Sequence, residues 1–241
     1  QFIAEFQGDV NFLAATSPAF DGPNSVRLTI KDRAGYAVLV LGKLDQNGEG
    51  HAEHAHTADS VYRALRERGF ATEDIYYLRE GPVQPALDIL VSDVTPTKAE
   101  VQSAIQTWAM TKMNAAPAPL YVVFVDHGTT DTFYVYSGAY DATRSISPTE
   151  MDGYLDTLEG QLNPQALGQQ LVFVYGACRS GTFIPAVSAP NRVVITSAGP
   201  DEVSHRGTEN PDTGVRDGEV FITELFRNAR GGKTLKESFE L

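Results

Sequence analysis

Two residues able to do nucleophilic chemistry follow successive apolar runs of this sequence. His127 follows the run from Leu120 to Val125, and Cys178, the chain's single cysteine, follows the run from Leu171 to Tyr175. A free thiol has a pKa of about 8.5, so only a few per cent of it is thiolate at neutral pH. A neighbouring imidazole can take the thiol proton or protonate a leaving amine. The pair therefore predicts nucleophilic catalysis, with Cys178 as nucleophile and His127 as general base or acid.

Small residues surround both side chains. Gly128 follows His127, and the sequence from Gly176 to Gly181 surrounds Cys178. Such residues let a substrate backbone approach closely, and backbone N–H groups there can stabilise an oxyanion. We predict that the N–H groups of Gly128 and Cys178 form this oxyanion hole. A lone Cys or His is more often a packing residue, but placement of both after strand ends favours a site.

The elements that must position these residues alternate between strand and helix. Apolar runs predict strands, and helical spacing with N-cap or stop residues predicts helices. The predicted strands are 36–41, 74–78, 120–125, 171–175 and 193–196, with a small hairpin at 133–136; the predicted helices are 53–68, 97–113, 147–158, 218–229 and 234–239. This order indicates a three-layer α/β sandwich with a mostly parallel central sheet over residues 35–241. Residues 1–34 are interpreted as a β-rich appendage or the tail of a preceding domain.

Composition limits the partners. The formal net charge is −12, which argues against nucleic acid or an anionic membrane surface, because both attract Lys- and Arg-rich proteins. No apolar run is long enough to span a bilayer. A single cysteine allows neither an intrachain disulfide nor a cysteine-rich zinc site. The acidic composition favours an extracytoplasmic or secreted location, and we expect a peptide or protein substrate, with further domains of a larger chain as an open alternative.

Competing sites are weaker. His51, His54 and His56 lie close in sequence, but His51 and His54 share a helical face from which His56 points away. The segment 45–50 resembles the start of an EF-hand loop, yet His56 stands where that loop needs an acid, so a calcium site of another kind is the alternative that the acidic loops leave open. The sequence has no serine-hydrolase elbow, P-loop or dinucleotide fingerprint. We predict no resident metal and no cofactor.

Four short segments, in order, resemble the legumain family and, more broadly, the caspase-fold cysteine peptidases. Residues 123–128 (VFVDHG) resemble its strand-His-Gly element, and residues 175–181 (YGACRSG) resemble its nucleophile element. Residues 195–204 are similar to the segment that lines the specificity pocket, and residues 37–59 are similar to the first strand and helix. The resemblance covers residues 36–240, and the separation of 51 residues between His127 and Cys178 (178 − 127) is of the size found in caspases.

The resemblance implies a thiol peptidase with a His127–Cys178 dyad and no obligatory third member. It also implies a specificity pocket near four further residues, namely Glu53, His54, Gly176 and Ser204. Two of these depart from the legumain pattern: Glu53 stands where Asn-cleaving members carry Arg, and Gly176 replaces an acidic residue. A carboxylate of Glu53, Asp201 or Glu202 would instead favour Arg or Lys in the substrate, as in the gingipain and clostripain relatives.

We therefore predict a cysteine endopeptidase that acts through an acyl-enzyme thioester. One alternative is transpeptidation or amide transfer by the same dyad, as in ligase-type legumains and the GPI-transamidase subunit. Another is a non-catalytic binding domain on the same fold.

Overall fold

A computed structural model describes residues 33–42, 51–79, 88–94, 96–135, 143–209, 211–212 and 214–240, apart from the side chain of His51. The predicted appendage at residues 1–34 lies outside the described residues except for its last two positions. The segment 45–50 and most of the loop after residue 79 lie outside them as well. The interpretations of these segments stay predictions.

The centre of the described chain is a five-stranded sheet in the order β2-β1-β3-β7-β8, with all neighbouring strands parallel. Its strands are β1 (Tyr36–Leu41), β2 (Ile75–Arg79), β3 (Leu120–Val125), β7 (Leu171–Gly176) and β8 (Arg192–Thr196). A second, antiparallel sheet consists of β4 (Gly128–Thr129), β5 (Thr132–Tyr134) and β6 (Ser145–Ile146). The five predicted strands are confirmed to within one residue, and the predicted hairpin is part of the small sheet.

Helices cover both faces of the central sheet. They are α1 (His51–Glu67), α2 (Lys98–Ser103), α3 (Met110–Ala115), α4 (Pro148–Gln161), α5 (Pro164–Leu167), α6 (Ile184–Val187), α7 (Val220–Arg230) and α8 (Leu235–Phe239). A π-helical segment, Ala104–Ala109, joins α2 to α3, and short 3₁₀ turns occupy Thr72–Asp74 and Ser180–Phe183. The predicted mostly parallel three-layer sandwich is therefore confirmed over the described residues.

Alternation along the strands produces two apolar layers. In β1, Tyr36, Val38 and Val40 face the layer formed with α2, α3 and α4, whereas Ala37, Leu39 and Leu41 face the layer formed with α1 and α7. Successive strand residues point to opposite faces, so a strand that is apolar throughout must be covered on both sides. All six residues of β1 are buried, as this requires.

Helix ends follow from local sequence. Thr97 with Glu100, Ser147 with Glu150 and Thr234 with Glu237 form capping boxes at the starts of α2, α4 and α8. After α1 the chain turns at Gly69, whose φ of +90° lies in the left-handed region that glycine tolerates.

Ion pairs gather where the strands begin. Asp74, which is buried and directly precedes β2, pairs with Arg33 and Lys112. Arg192, the first residue of β8, has a side chain only 1% exposed and pairs with three acidic residues of α4, namely Asp152, Asp156 and Glu159. These contacts anchor the amino ends of the sheet to the helices.

No helix in the described part of the chain combines the length and apolarity needed to cross a membrane.

Candidate active site

The loops that leave β3 and β7 lie side by side at the carboxyl end of the sheet. Val125 pairs with Gly176 in the register of these parallel strands, and the Asp126 N–H donates to the Gly176 carbonyl at 3.2 Å. Two residues beyond this pair, one loop reaches His127 and the other reaches Cys178. In sheets of this kind, ligands bind beyond the carboxyl ends of the strands.

Gly128 lets the two loops touch. A Cβ atom at this position would lie 2.9 Å from the Cys178 carbonyl oxygen and 2.3 Å from the Tyr175 hydroxyl oxygen, so a side chain would have no space. The Tyr175 hydroxyl donates to the Thr132 carbonyl at 3.0 Å, which ties the small sheet to β7. The His127 loop is thereby held directly against the Cys178 loop.

The turn after Cys178 is held in an uncommon conformation. Arg179 has φ of 57° in the left-handed region, which costs a non-glycine residue about 1–2 kcal/mol. Its N–H donates to the Glu202 carbonyl at 2.8 Å, and the Gly181 N–H donates to the Ala198 carbonyl at 2.9 Å. These bonds fix the turn against the segment 198–202 and so fix the position of Cys178.

Cys178 is half-buried, and its Sγ lies 3.6 Å from the Ser204 Oγ. Ser204 is one of the predicted pocket residues, and the structure places it at the thiol.

Glu219 lies behind Ser204 as a buried carboxylate. It is the N-cap of α7, and one of its oxygens, Oε2, accepts from the Ile222 N–H at 3.0 Å. Burial raises the pKa of Glu219, opposed by the Ile222 N–H, the Ser197 hydroxyl, His54 and the Ser204 hydroxyl. The Ser197 and Ser204 hydroxyls lie close enough to favour the ionised form of Glu219. Neither of them forms a hydrogen bond to the second carboxylate oxygen, Oε1, which has no partner.

His54 brings the first turn of α1 into the same cluster. Its Nδ1 lies 3.2 Å from Asp126 Oδ1, and both side chains are almost fully buried. The contact has ion-pair distance but is not a hydrogen bond, and His54 Nδ1 has no hydrogen-bond partner. Asp126 Oδ1 accepts from the His127 backbone N–H, whereas its other oxygen, Oδ2, has no partner. The His54 ring also meets the His127 ring edge to face, with centroids 4.7 Å apart.

Contacts between α1 and the start of α7 hold His54 in place. The Gly218 N–H donates to the Glu53 carbonyl oxygen at 3.1 Å and also to the Thr57 hydroxyl oxygen at 3.1 Å. A Cβ at Gly218 would lie 2.2 Å from His54 Cδ2, so this close approach requires glycine.

The other predicted pocket residues lie in different settings. Glu53 is half-buried at the first turn of α1. Gly176 lies beneath α7, where a Cβ would be 2.3 Å from Ile222 Cγ1 and 3.2 Å from Glu219 Cγ. Asp201 and Glu202 are exposed, and the Glu202 carboxylate accepts from the Gly199 N–H at 2.8 Å within its own loop. The structure thus brings His54 to His127 and Ser204 to Cys178, whereas the Glu202 carboxylate bonds within its own loop.

Sequence reasoning assigned no role to Asp126 or Glu219. Asp126 precedes His127 directly and could have been noticed because a carboxylate after a strand is placed like the imidazole beside it. Glu219 carries no comparable signal, since Glu is not a favoured N-cap residue and its neighbours lie far away in sequence.

Comparisons with known proteins agree with this architecture. Among solved structures, caspase-1 from Spodoptera frugiperda matches with a TM-score of 0.54 and 17% identity, covering 83% of this chain and 69% of that one. This likeness shows a caspase-like fold, as the sequence predicted. No curated protein matches the chain.

The model of the peptidase C13 family matches residues 116–241, which include both His127 and Cys178. The match covers 126 of 241 residues (241 − 116 + 1), more than half of the chain. Together with the caspase-like fold, it shows that this chain belongs to the peptidase C13 family of legumain-like cysteine peptidases.

Proposed function

We propose that this protein is a cysteine endopeptidase in which Cys178 and His127 form the catalytic dyad. The observation that carries the proposal is the strand register, in which the paired residues Val125 and Gly176 lie two residues before His127 and Cys178. The packing of Gly128 on the Cys178 carbonyl supports it, because it holds the loop that carries His127 directly against the loop that carries Cys178.

The reaction proceeds in two steps. His127 takes the proton of the Cys178 thiol, and the resulting thiolate attacks the scissile carbonyl carbon. A C–S bond forms, and the carbonyl oxygen becomes an oxyanion that the N–H groups of Gly128 and Cys178 stabilise. His127 then protonates the leaving amine as the C–N bond breaks, which leaves a thioester. Water attacks the thioester, His127 accepts its proton, a C–O bond forms, and the C–S bond breaks to release the acid.

Glu219 is the acidic group that we assign to the specificity pocket. It is buried near Ser204 and His54, and Ser204 contacts the thiol sulfur. An unpartnered carboxylate oxygen is suited to a cationic side chain, which would supply the hydrogen bonds and the charge that Oε1 lacks. The pocket therefore favours Arg or Lys at the residue before the scissile bond, with Glu53 at its rim and the Gly176 backbone at its floor.

A thiol-directed covalent probe tests the dyad. We expect the probe to label Cys178 in the wild-type protein, and we expect His127→Ala to lower both the labelling rate at neutral pH and kcat/KM by about 10²–10⁴-fold, the range for general acid–base catalysis. His56→Ala is the matched control, since His56 lies on the exposed side of α1, 3.5 Å from Asp217. Labelling that is indifferent to His127 would remove the dyad.

A fluorogenic peptide library tests the pocket separately. Cleavage after Arg and Lys should exceed cleavage after Asn, and Glu219→Gln should reduce this preference by at least tenfold while the probe still labels Cys178. A library profile dominated by Asn would refute the basic pocket and leave the dyad intact.

A further inference from the structure

The cluster beside the dyad has the composition of a metal site. One imidazole nitrogen from each of His54 and His127 and one carboxylate oxygen from Asp126 all lie within 4.8 Å of one another. His54 comes from α1, whereas Asp126 and His127 follow β3, so the two parts of the set are fixed by different elements.

Two of the three side chains each have a buried atom without a hydrogen-bond partner. His54 Nδ1 and Asp126 Oδ2 have no hydrogen-bond partner, although the side chains are only 4% and 2% exposed. A buried polar group without a partner costs about 1–3 kcal/mol, so such groups require an explanation. A cation between them would satisfy both.

We propose that His54, Asp126 and His127 bind a Zn²⁺ ion, and that this ion reversibly blocks the general base. Two imidazoles and one carboxylate are a common protein donor set for Zn²⁺, with a fourth position open to water. Ca²⁺ and Mg²⁺ are disfavoured because they prefer sites made of oxygen atoms. The 3.2 Å separation of His54 Nδ1 and Asp126 Oδ1 suits an ion about 2.0–2.2 Å from each.

This ligand set differs from the histidine cluster of the sequence. His56 lies on the exposed side of α1 and is 3.5 Å from Asp217, whereas His54 faces inward to Asp126 and His127. The two sets share His54 only. His56 is therefore a matched control on the same helix.

The consequence for catalysis rests on the proposed function. A nitrogen of His127 that donates its lone pair to Zn²⁺ cannot accept a proton at that atom, so proton transfer with Cys178 stops until the metal leaves. Binding itself does not depend on peptidase activity. It can be measured in a protein that lacks the nucleophile.

The test is Zn²⁺ titration of Cys178→Ala protein, freed of metal by a chelator, in competition with a chromophoric zinc indicator. We expect one Zn²⁺ per chain and a rise in Tm on binding. His54→Asn, Asp126→Asn and His127→Asn, each made in the Cys178→Ala protein, should weaken binding by at least tenfold, since even the loss of an outer-shell partner typically costs 10–100-fold. His56→Asn should leave affinity unchanged.

The variants separate the possible outcomes. His127 is half-buried, so His127→Asn should fold even if the variants of the two buried ligands do not. Zn²⁺ affinity that is unchanged in His127→Asn overturns the site, as does the absence of stoichiometric binding to Cys178→Ala. If Zn²⁺ binds as expected but Cys178 proves inert to thiol probes, the metal site stands and the proposed function fails.

Discussion

Buried charged groups are paired at the amino ends of the central sheet, whereas some have atoms without hydrogen-bond partners at the carboxyl ends of β3 and β7. At the amino ends, Asp74 pairs with Arg33 and Lys112, and Arg192 pairs with three acidic residues of α4. At the carboxyl ends of β3 and β7, buried side-chain atoms are left without hydrogen bonds, whereas β2 ends on Arg79, which pairs with Asp59. Across the described residues, the unsatisfied atoms are His54 Nδ1, Asp126 Oδ2 and Glu219 Oε1.

This difference indicates that the amino-end charges stabilise the fold, whereas the carboxyl-end groups serve the functional site. Buried polar groups in folded proteins are normally satisfied, and groups that are not concentrate at functional sites. The amino end gains hydrogen bonds from its charges, whereas the carboxyl end keeps donors and acceptors available for a ligand. Substitutions at the two ends should therefore change different measurements.

The largest effect on stability is expected at Arg192. Removing one partner of a buried charge pair costs about 3–5 kcal/mol. We expect Arg192→Ala to lie near the lower bound, at about 3 kcal/mol, because Asp156 is 66% exposed and can be hydrated. Urea unfolding measures the loss, while the rate at which a thiol probe labels the folded protein should stay unchanged.

Arg227→Ala is the control for that measurement. Arg227 pairs with Glu224 on the surface of α7, with side chains 68% and 45% exposed, and such pairs contribute about 0–1 kcal/mol. Equal losses in the two variants would show that the amino end does not depend on its buried ion pairs.

The sequence predicted the sheet better than the cluster, for a physical reason. Strands such as β3 and β7 are read from continuous apolar runs, and α2, α4 and α8 from capping boxes, all of which are local patterns. His127 and Cys178 were predicted because each lies two or three residues after the end of a predicted strand. Local pattern and local structure coincide in these segments.

Glu219 could not be predicted in this way. Its environment is made by Ser197, Ser204 and His54, and the last of these is 165 residues away (219 − 54). Only the packing of α7 against α1 brings them together, through Gly218 and Thr57. Likewise, no sequence pattern indicated that Ile222 and Glu219 lie against Gly176.

An intermediate effect is expected at Gly176, at the carboxyl end of β7. A methyl group there would meet Ile222 Cγ1 at 2.3 Å, and forcing extra volume into a packed core costs about 1–3 kcal/mol. We expect Gly176→Ala to destabilise the protein by about 2 kcal/mol in urea unfolding and to slow labelling of Cys178, because the displaced end of β7 lies two residues before the thiol.

Gly153→Ala is the matched control. Gly153 lies inside α4, and no atom comes within 4 Å of the place that an alanine methyl group would take, so alanine should stabilise the helix by about 0.5–1 kcal/mol. Effects of the same sign in both variants would contradict the close packing of α7 on β7.

The smallest effect on the free energy of unfolding is expected at Glu219, and it tests the difference between the two ends of the sheet most directly. Burial raises the pKa of Glu219 above its ordinary value of 4.5, so the folded state resists its ionisation. Stability from this group is fully present below the unfolded pKa and declines as pH rises through the folded pKa.

Glu219→Gln keeps an oxygen for the Ile222 N–H but removes the buried charge. We expect the variant to match the wild type near pH 4 and to exceed it by about 1 kcal/mol at pH 7.5, measured by urea unfolding across that range.

Glu237→Gln is the control, and its effect on stability should have the opposite sign to that of Glu219→Gln. The backbone N–H and hydroxyl of Thr234 lower the pKa of Glu237, which is an exposed capping-box residue of α8. Its contribution is present above the unfolded pKa and is lost as pH falls, so this variant should be less stable than the wild type at neutral pH and equal to it in acid. If Glu219→Gln behaved like Glu237→Gln, the Glu219 carboxylate would be a satisfied helix cap. The carboxyl end would then hold its charges in the same way as the amino end does.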